Sequence, residues 1–263
     1  MMHHSVAAFV NDPLHIPPPS TSTATPTTCA WVWRVTLVGL VCLLLWDASG
    51  LDLLVMQHIG TPSGFALTNN YWLSHVLHTG ARNASVVLFL LLWVLALAWP
   101  RGQHPQLGAR GQRVWLLTGV TLSLLLISGL KAASATSCPW DLAEFGGVAQ
   151  YVSHWQFGQT DGGGGRCFPG GHASSAFGYL ALLPPLLTAA QPRTRRRARI
   201  ALWGIVAAGL LLGLTQTLRG AHFPSHTLWT AWLCWTAAWL WFALGQWFGA
   251  QRQARQQRQT LPT

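Results

Sequence analysis

About six apolar runs, each near the length that a bilayer crossing demands, set the frame for this chain. A helix needs roughly 17–25 mostly apolar residues to span the hydrocarbon layer. The runs cover approximately 30–46, 84–99, 114–130, 172–190, 200–218 and 227–248. Only 8% of the 263 residues are charged, against roughly a quarter in soluble domains. The expected fold is therefore all-α: a polytopic membrane helix bundle with about six transmembrane helices. Segment 51–67 is interrupted by Gln57, His58, Gly60, Pro62 and Gly64, and reads as re-entrant or surface-lying. Residues 71–82 have helical apolar spacing and are expected at the interface.

Three regions follow. Residues 1–29 are polar and rich in Pro, Ser and Thr, and read as a disordered tail. They lack a basic stretch before a short apolar core, so no cleaved signal peptide is expected. Residues 30–249 form the six-span domain, and 250–263 a basic cytoplasmic tail. Sixteen tryptophans suit a chain with many residues at bilayer interfaces.

The formal net charge of +10 invites a nucleic-acid reading, which topology removes. The positive runs Arg101, Arg110, Arg113; Arg193, Arg195, Arg196, Arg197, Arg199; and Arg252, Arg255, Arg258 all fall on one side of six spans. That is the cytoplasmic side by the positive-inside rule, and both termini lie there. With Arg34 at the inner end of the first span, only Arg82, Lys131, Arg166 and Arg219 remain outside. Four cations at the junctions of outer loops and spans suggest an anionic ligand; anchoring to lipid headgroups is the alternative. Arg far above Lys, with abundant Ala, Leu and Trp, suits a bacterial cytoplasmic (inner) membrane, with the site facing the periplasm or outer side. The oligomeric state is left open.

Three outer segments carry the chemistry. In "LKAASATSCPWDL", Lys131 closes the third span. In "GGGGRCFPGGHASSAFGYLALL", Gly170 and Gly171 allow backbone to approach a ligand. A helix starting near His172 would offer free N–H groups and a positive end to an anion. In "TQTLRGAHFPSHTLW", Arg219, His222 and His226 lie within about two helical turns. His222 and His226 are spaced i, i+4, and with His172 could form a three-histidine metal site. Against that, no carboxylate lies near, and the preferred reading has no metal and no cofactor.

Together these segments resemble the type 2 phosphatidic acid phosphatase superfamily, whose pattern is KxxxxxxRP, PSGH and SRxxxxxHxxxD. Here the first motif reads Lys131, six residues, Cys138, Pro139. The second reads Pro169-Gly170-Gly171-His172, and the third Thr215-Gln216, His222 and His226. The motif core covers 115–240. The resemblance implies that His222 attacks phosphorus to form a phosphohistidine, that His172 protonates the leaving oxygen, and that Lys131 holds phosphate oxygens. Such cations stabilise a loose transition state. The departures are Cys138 for the first-motif arginine, Thr215-Gln216 for Ser-Arg, Gly170 for serine and His226 for the orienting aspartate. Arg219, on the face of Gln216, is expected to replace one arginine, and Arg166 or Arg82 the other. Gly170 is expected to keep a backbone N–H for phosphate, and a neutral His226 to accept a hydrogen bond from His222.

Cys138 and Cys167 share one outer loop, where a disulfide can persist; two free thiols are the alternative. The expected activity is hydrolysis of a lipid phosphate or diphosphate at the outer face of the membrane. A lipid-to-lipid phosphotransferase of the same superfamily remains open, as does a non-catalytic transporter or lipid-binding protein. A haloperoxidase is disfavoured, because the chain lacks a large soluble scaffold. The expected partner is a membrane-embedded lipid phosphate, with no nucleic acid.

Overall fold

The computed structural model describes residues 26–98, 110–156 and 158–260. Most of the expected tail, with Trp99, Arg101 and the last three residues, lies outside them. The first helix, α1 (Pro26–Ala48), already begins within the expected tail. It is followed by α2 (Leu51–Ile59) and by a hairpin of β1 (Gly60–Thr61) and β2 (Gly64–Phe65), paired antiparallel. A π-helix (Trp72–Gly80) runs directly into α3 (Ala81–Ala98), and α4 covers Arg110–Ala133. Beyond a long loop lie α5 (Ser174–Phe177), a 3₁₀ turn (Gly178–Leu182) and α6 (Pro184–Leu187). The chain ends in α7 (Pro192–Leu218) and the 37-residue α8 (Pro224–Thr260). The architecture is an all-α polytopic bundle with almost no sheet.

Among the described residues, four helices are long and apolar enough to cross a membrane: Ala30–Ala48, Trp72–Ala98, Arg110–Ala133 and Pro192–Leu218. Two expected features change. The surface segment 71–82 is continuous with the following span, because nothing between Trp72 and Ala98 breaks the helix. The run 172–190 is not one helix but three short pieces. Pro184 and Pro185 remove two N–H donors from its second half, where an α-helix would need them.

This broken segment is apolar because it sits in the centre of the bundle. Phe177, Leu180, Ala181 and Leu183 pack with Leu117, Val120 and Ile127 of α4 and with Cys234 and Ala238 of α8. Gly209 of α7 lets the Phe177 ring approach closely; a Cβ there would meet it at 2.4 Å. In contrast, α1 and α3 expose Leu37, Val38, Leu45, Val87, Leu90 and Val94, as lipid-facing helices do.

A second core closes one end of the bundle. Met56 of α2, Phe65 of the hairpin, Leu142, Phe145 and Ala149 of the long loop, and Phe223 are buried together. Two carboxylates at this end hold the frame. Asp52 Oδ1 accepts from Trp46 Nε1 (2.8 Å) and from the Ser225 N–H (3.0 Å), and Ser225 Oγ donates to Oδ2. Asp52 thus caps the first turn of α8 from another helix, where free N–H groups and a positive dipole end favour an anion. Asp47 Oδ2 accepts from Trp155 Nε1 (2.9 Å) and Trp229 Nε1 (2.8 Å), and lies 3.2 Å from His154 Nε2.

Candidate active site

The three motif segments converge at the capped end, joined by backbone hydrogen bonds. The Cys167 N–H donates to the Thr136 carbonyl and the Arg166 N–H to Ser134, tying the glycine loop to the loop after α4. Buried Asp161 accepts from the Ser137 N–H and hydroxyl and from the Gly163 N–H. The Trp140 N–H donates to the Gly220 carbonyl, bringing in the α7–α8 turn. Cys138 and Cys167 are joined as a disulfide, with Cα atoms 5.2 Å apart.

Gly170 is a joint between segments. Its N–H donates to the His226 carbonyl (2.9 Å), and its carbonyl accepts from Thr230 Oγ1 (3.0 Å). This corrects the expectation that Gly170 keeps a free N–H for phosphate. A Cβ at Gly170 would lie 3.2 Å from the His226 carbonyl, so a serine here would crowd α8. The neighbouring Gly171 leaves space for Lys131, whose Cδ would be 3.3 Å from an added Cβ. The expected long helix after His172 is also absent. With α5 only four residues long, little macrodipole accumulates.

His172 is stacked on His78, with ring centroids 3.6 Å apart and planes at 30°. His172 Nε2 is buried and has no hydrogen-bond partner. Burial, above all, pushes the His172 imidazole down to about 3; His78, Lys131, Arg82 and Arg219 push the same way. His222 is buried, and burial holds it well below its ordinary value, with Lys131 and His172 adding to the effect. The result is a set of neutral imidazoles in a field of three cations, a natural receptor for an anion.

Arg219 is fixed in place. Its Nη1 donates to Gln216 Oε1 (3.2 Å), its Nε donates to the Thr68 carbonyl (3.0 Å), and its guanidinium lies 5.9 Å from the Trp140 ring centroid. Gln216, in the position of the missing motif arginine, therefore holds the arginine one turn further on. Arg82 reaches the same centre from α3, which is stapled to the broken segment by Ser85 Oγ to the Ser175 carbonyl and Tyr179 OH to the Ser85 carbonyl (both 2.8 Å). Arg166 does not join them. It is exposed on the glycine loop with φ 58 and is not among the cations acting on His172 or His222.

His226 stands edge to face with His222, centroids 5.7 Å apart. No hydrogen bond joins them, and His226 Nδ1 is buried without a partner. This corrects the expectation that His226 accepts from His222. The three histidines do not form a close ligand set either. Among the described residues, the one tight group of potential ligands is Cys138, Cys167 and His222, and its two sulfurs are bonded to each other.

The motifs alone miss His78, Asp47 and Asp52. His78 and Arg82 are spaced i, i+4, which puts them on one helix face. Asp47 and Asp52 are two of six acidic residues beside an apolar span, where carboxylates are costly unless paired.

A cavity of about 320 Å³ opens from this centre between α3, α4 and the broken segment. Arg82, Lys131 and His172 line its polar part; Val86, Phe89 and Leu124 line the apolar part.

Histidines and cations thus gather at one end of a helical bundle whose long helices are apolar enough to cross a membrane. A profile of the PAP2 superfamily matches residues 112–250, more than half of the chain, and the chain belongs to that family. Members are phosphatases, and its activity is of the phosphatase type. No curated protein and no solved structure matches the chain.

Proposed function

We propose that the protein hydrolyses a lipid phosphate or diphosphate through a phosphohistidine on His222. The observation that carries the lipid reading is the graded cavity: cations and His172 at one end, Val86, Phe89 and Leu124 at the other. On α4 the lining runs from Lys131 back to Leu124, about two turns or roughly 10 Å at 1.5 Å per residue. A phosphate at Lys131 would carry its hydrocarbon chain along that path.

His222 attacks phosphorus through Nε2, and the ester oxygen leaves with a proton from His172. Lys131, Arg219 and Arg82 stabilise the charge spread over the equatorial oxygens. Water then releases phosphate from His222. His172 is neutral in the free site. A dianionic phosphate beside it favours the imidazolium, so substrate arrival loads the acid.

The site lies at the outer face in this reading. Arg193–Arg199 begin α7 and Arg219 follows its end; at 1.5 Å per residue they lie about 30–39 Å apart along the helix. Arg252, Arg255 and Arg258 end α8, which begins beside the site. The positive-inside rule then puts the arginine runs in the cytoplasm, and a bacterial inner membrane suits the composition.

The test is phosphate release by detergent-solubilised protein, with chelator, from phosphatidic acid, polyprenyl diphosphate and lipid A, beside His222→Ala. Release that survives chelator and is lost in the variant is expected. Phosphate appearing only on a second lipid would make the enzyme a transferase. Release that persists in His222→Ala would overturn the phosphohistidine route.

A further inference from the structure

We propose that the Cys138–Cys167 disulfide is the positioning group for His222, and that its reduction reverses the imidazole tautomer and slows the enzyme. This rests on the reading of His222 as the nucleophile. For Nε2 to attack, its lone pair must be free, so Nδ1 must hold the proton. A carboxylate that accepts from Nδ1 ordinarily enforces this. Here the residue in that position, His226, makes no hydrogen bond to His222.

Cys167 occupies the place instead. Its Sγ lies 3.3 Å from His222 Nδ1 and 3.1 Å from the Ala221 carbonyl oxygen. The ligating atoms of Cys138, Cys167 and His222 all fall within 4.8 Å of one another. A disulfide sulfur has no proton. It can only accept, so the shared proton belongs to His222 Nδ1, and Nε2 is left bare.

Reduction inverts this. A dithiol such as dithiothreitol gives two electrons and two protons to the S–S bond and closes to its own disulfide, leaving thiols on Cys138 and Cys167. The Cys167 S–H is then a donor, with Nδ1 and the Ala221 carbonyl as its neighbours. When Nδ1 accepts it, the ring proton must sit on Nε2, the atom that should attack. The Ala221 carbonyl competes for the same S–H, so the loss is partial. For metal-bound histidines, losing the partner that orients the ring costs about 10- to 100-fold, and a loss of that order is expected here.

The experiment compares oxidised and dithiothreitol-reduced wild-type protein for kcat and KM of phosphate release, for the affinity of inorganic sulfate, an oxyanion that forms no bond to Nε2, and for the ¹⁵N shifts of the His222 ring. The Cys138→Ala/Cys167→Ala variant is measured alongside. Reduction should lower kcat about 10- to 100-fold with KM and sulfate affinity little changed, and move the ring proton from Nδ1 to Nε2. The double variant, with neither donor nor acceptor sulfur, should lie between the two and ignore dithiothreitol. Unchanged kcat on reduction, in a preparation that releases phosphate when oxidised, would overturn the proposal. A parallel loss of sulfate binding would do the same, since the bridge would then only hold the fold. If oxidised protein neither releases phosphate from any lipid nor passes it to a second lipid, the nucleophile reading itself fails, and the positioning role with it.

Discussion

His78 lies face to face with His172, ring centroids 3.6 Å apart, although the two belong to different elements. A nine-residue π-helix carries His78. Such turns are rare and recur at functional sites. The stack holds one face of the His172 ring while Nε2 stays unpartnered. His78→Ala should therefore lower kcat about tenfold, the lower end of the range for an orienting partner. It should also raise the apparent pKa of His172, since His78 contributes to lowering it. A kcat/KM profile against pH checks both, and an unshifted profile would count against the pairing.

Arg219 is held by Gln216 and the Thr68 carbonyl. Arg219→Ala should weaken inorganic vanadate binding by the worth of a charge-assisted hydrogen bond, about 1.5–3 kcal/mol. Gln216→Ala should weaken it less, because the Thr68 contact remains. Isothermal titration of the two variants would show the order, and a larger effect for Gln216→Ala would be inconsistent with its supporting role.

Asp52 caps α8 at Ser225 from outside the helix. Asp52→Ala should cost about 1–2 kcal/mol, as lost caps do, with further loss from burying an unpaired N–H. Asp52→Asn should cost less, since its amide oxygen still accepts. Thermal melts in detergent compare the two, and equal stability of Asp52→Ala and wild type would refute the cap.

Acid should unfold the protein. His172 sits at about 3 in the fold against roughly 6.5 in an unfolded chain. Above about 6.5 neither state is protonated and the group is neutral to stability. As pH falls through 6.5 the unfolded chain takes a proton that the fold refuses, so stability falls progressively down to about 3. His222 acts in the same direction. Melting temperature should drop between pH 7 and 5, and His172→Gln should flatten the slope. Orthophosphate should bind more tightly over the same range, because the bound anion favours the imidazolium.

The sequence by itself determined the membrane-helix class, the ends at which charge gathers and the three motif segments with Lys131, His172 and His222. Apolar length, charge placement and short motifs are local quantities, readable along the chain. Tertiary structure alone decided the rest. Run 172–190 is apolar in sequence whether it faces lipid or the bundle centre, and only packing showed the latter. Arg166 and Arg219 look alike as outer cations, yet Gln216 and Thr68 fix one at the site while the other stays exposed. His78 and Asp52 lie 94 and 173 residues from their partners His172 and Ser225. Contacts at that separation leave no spacing signature, because they depend on how whole helices pack rather than on the turn of any one of them.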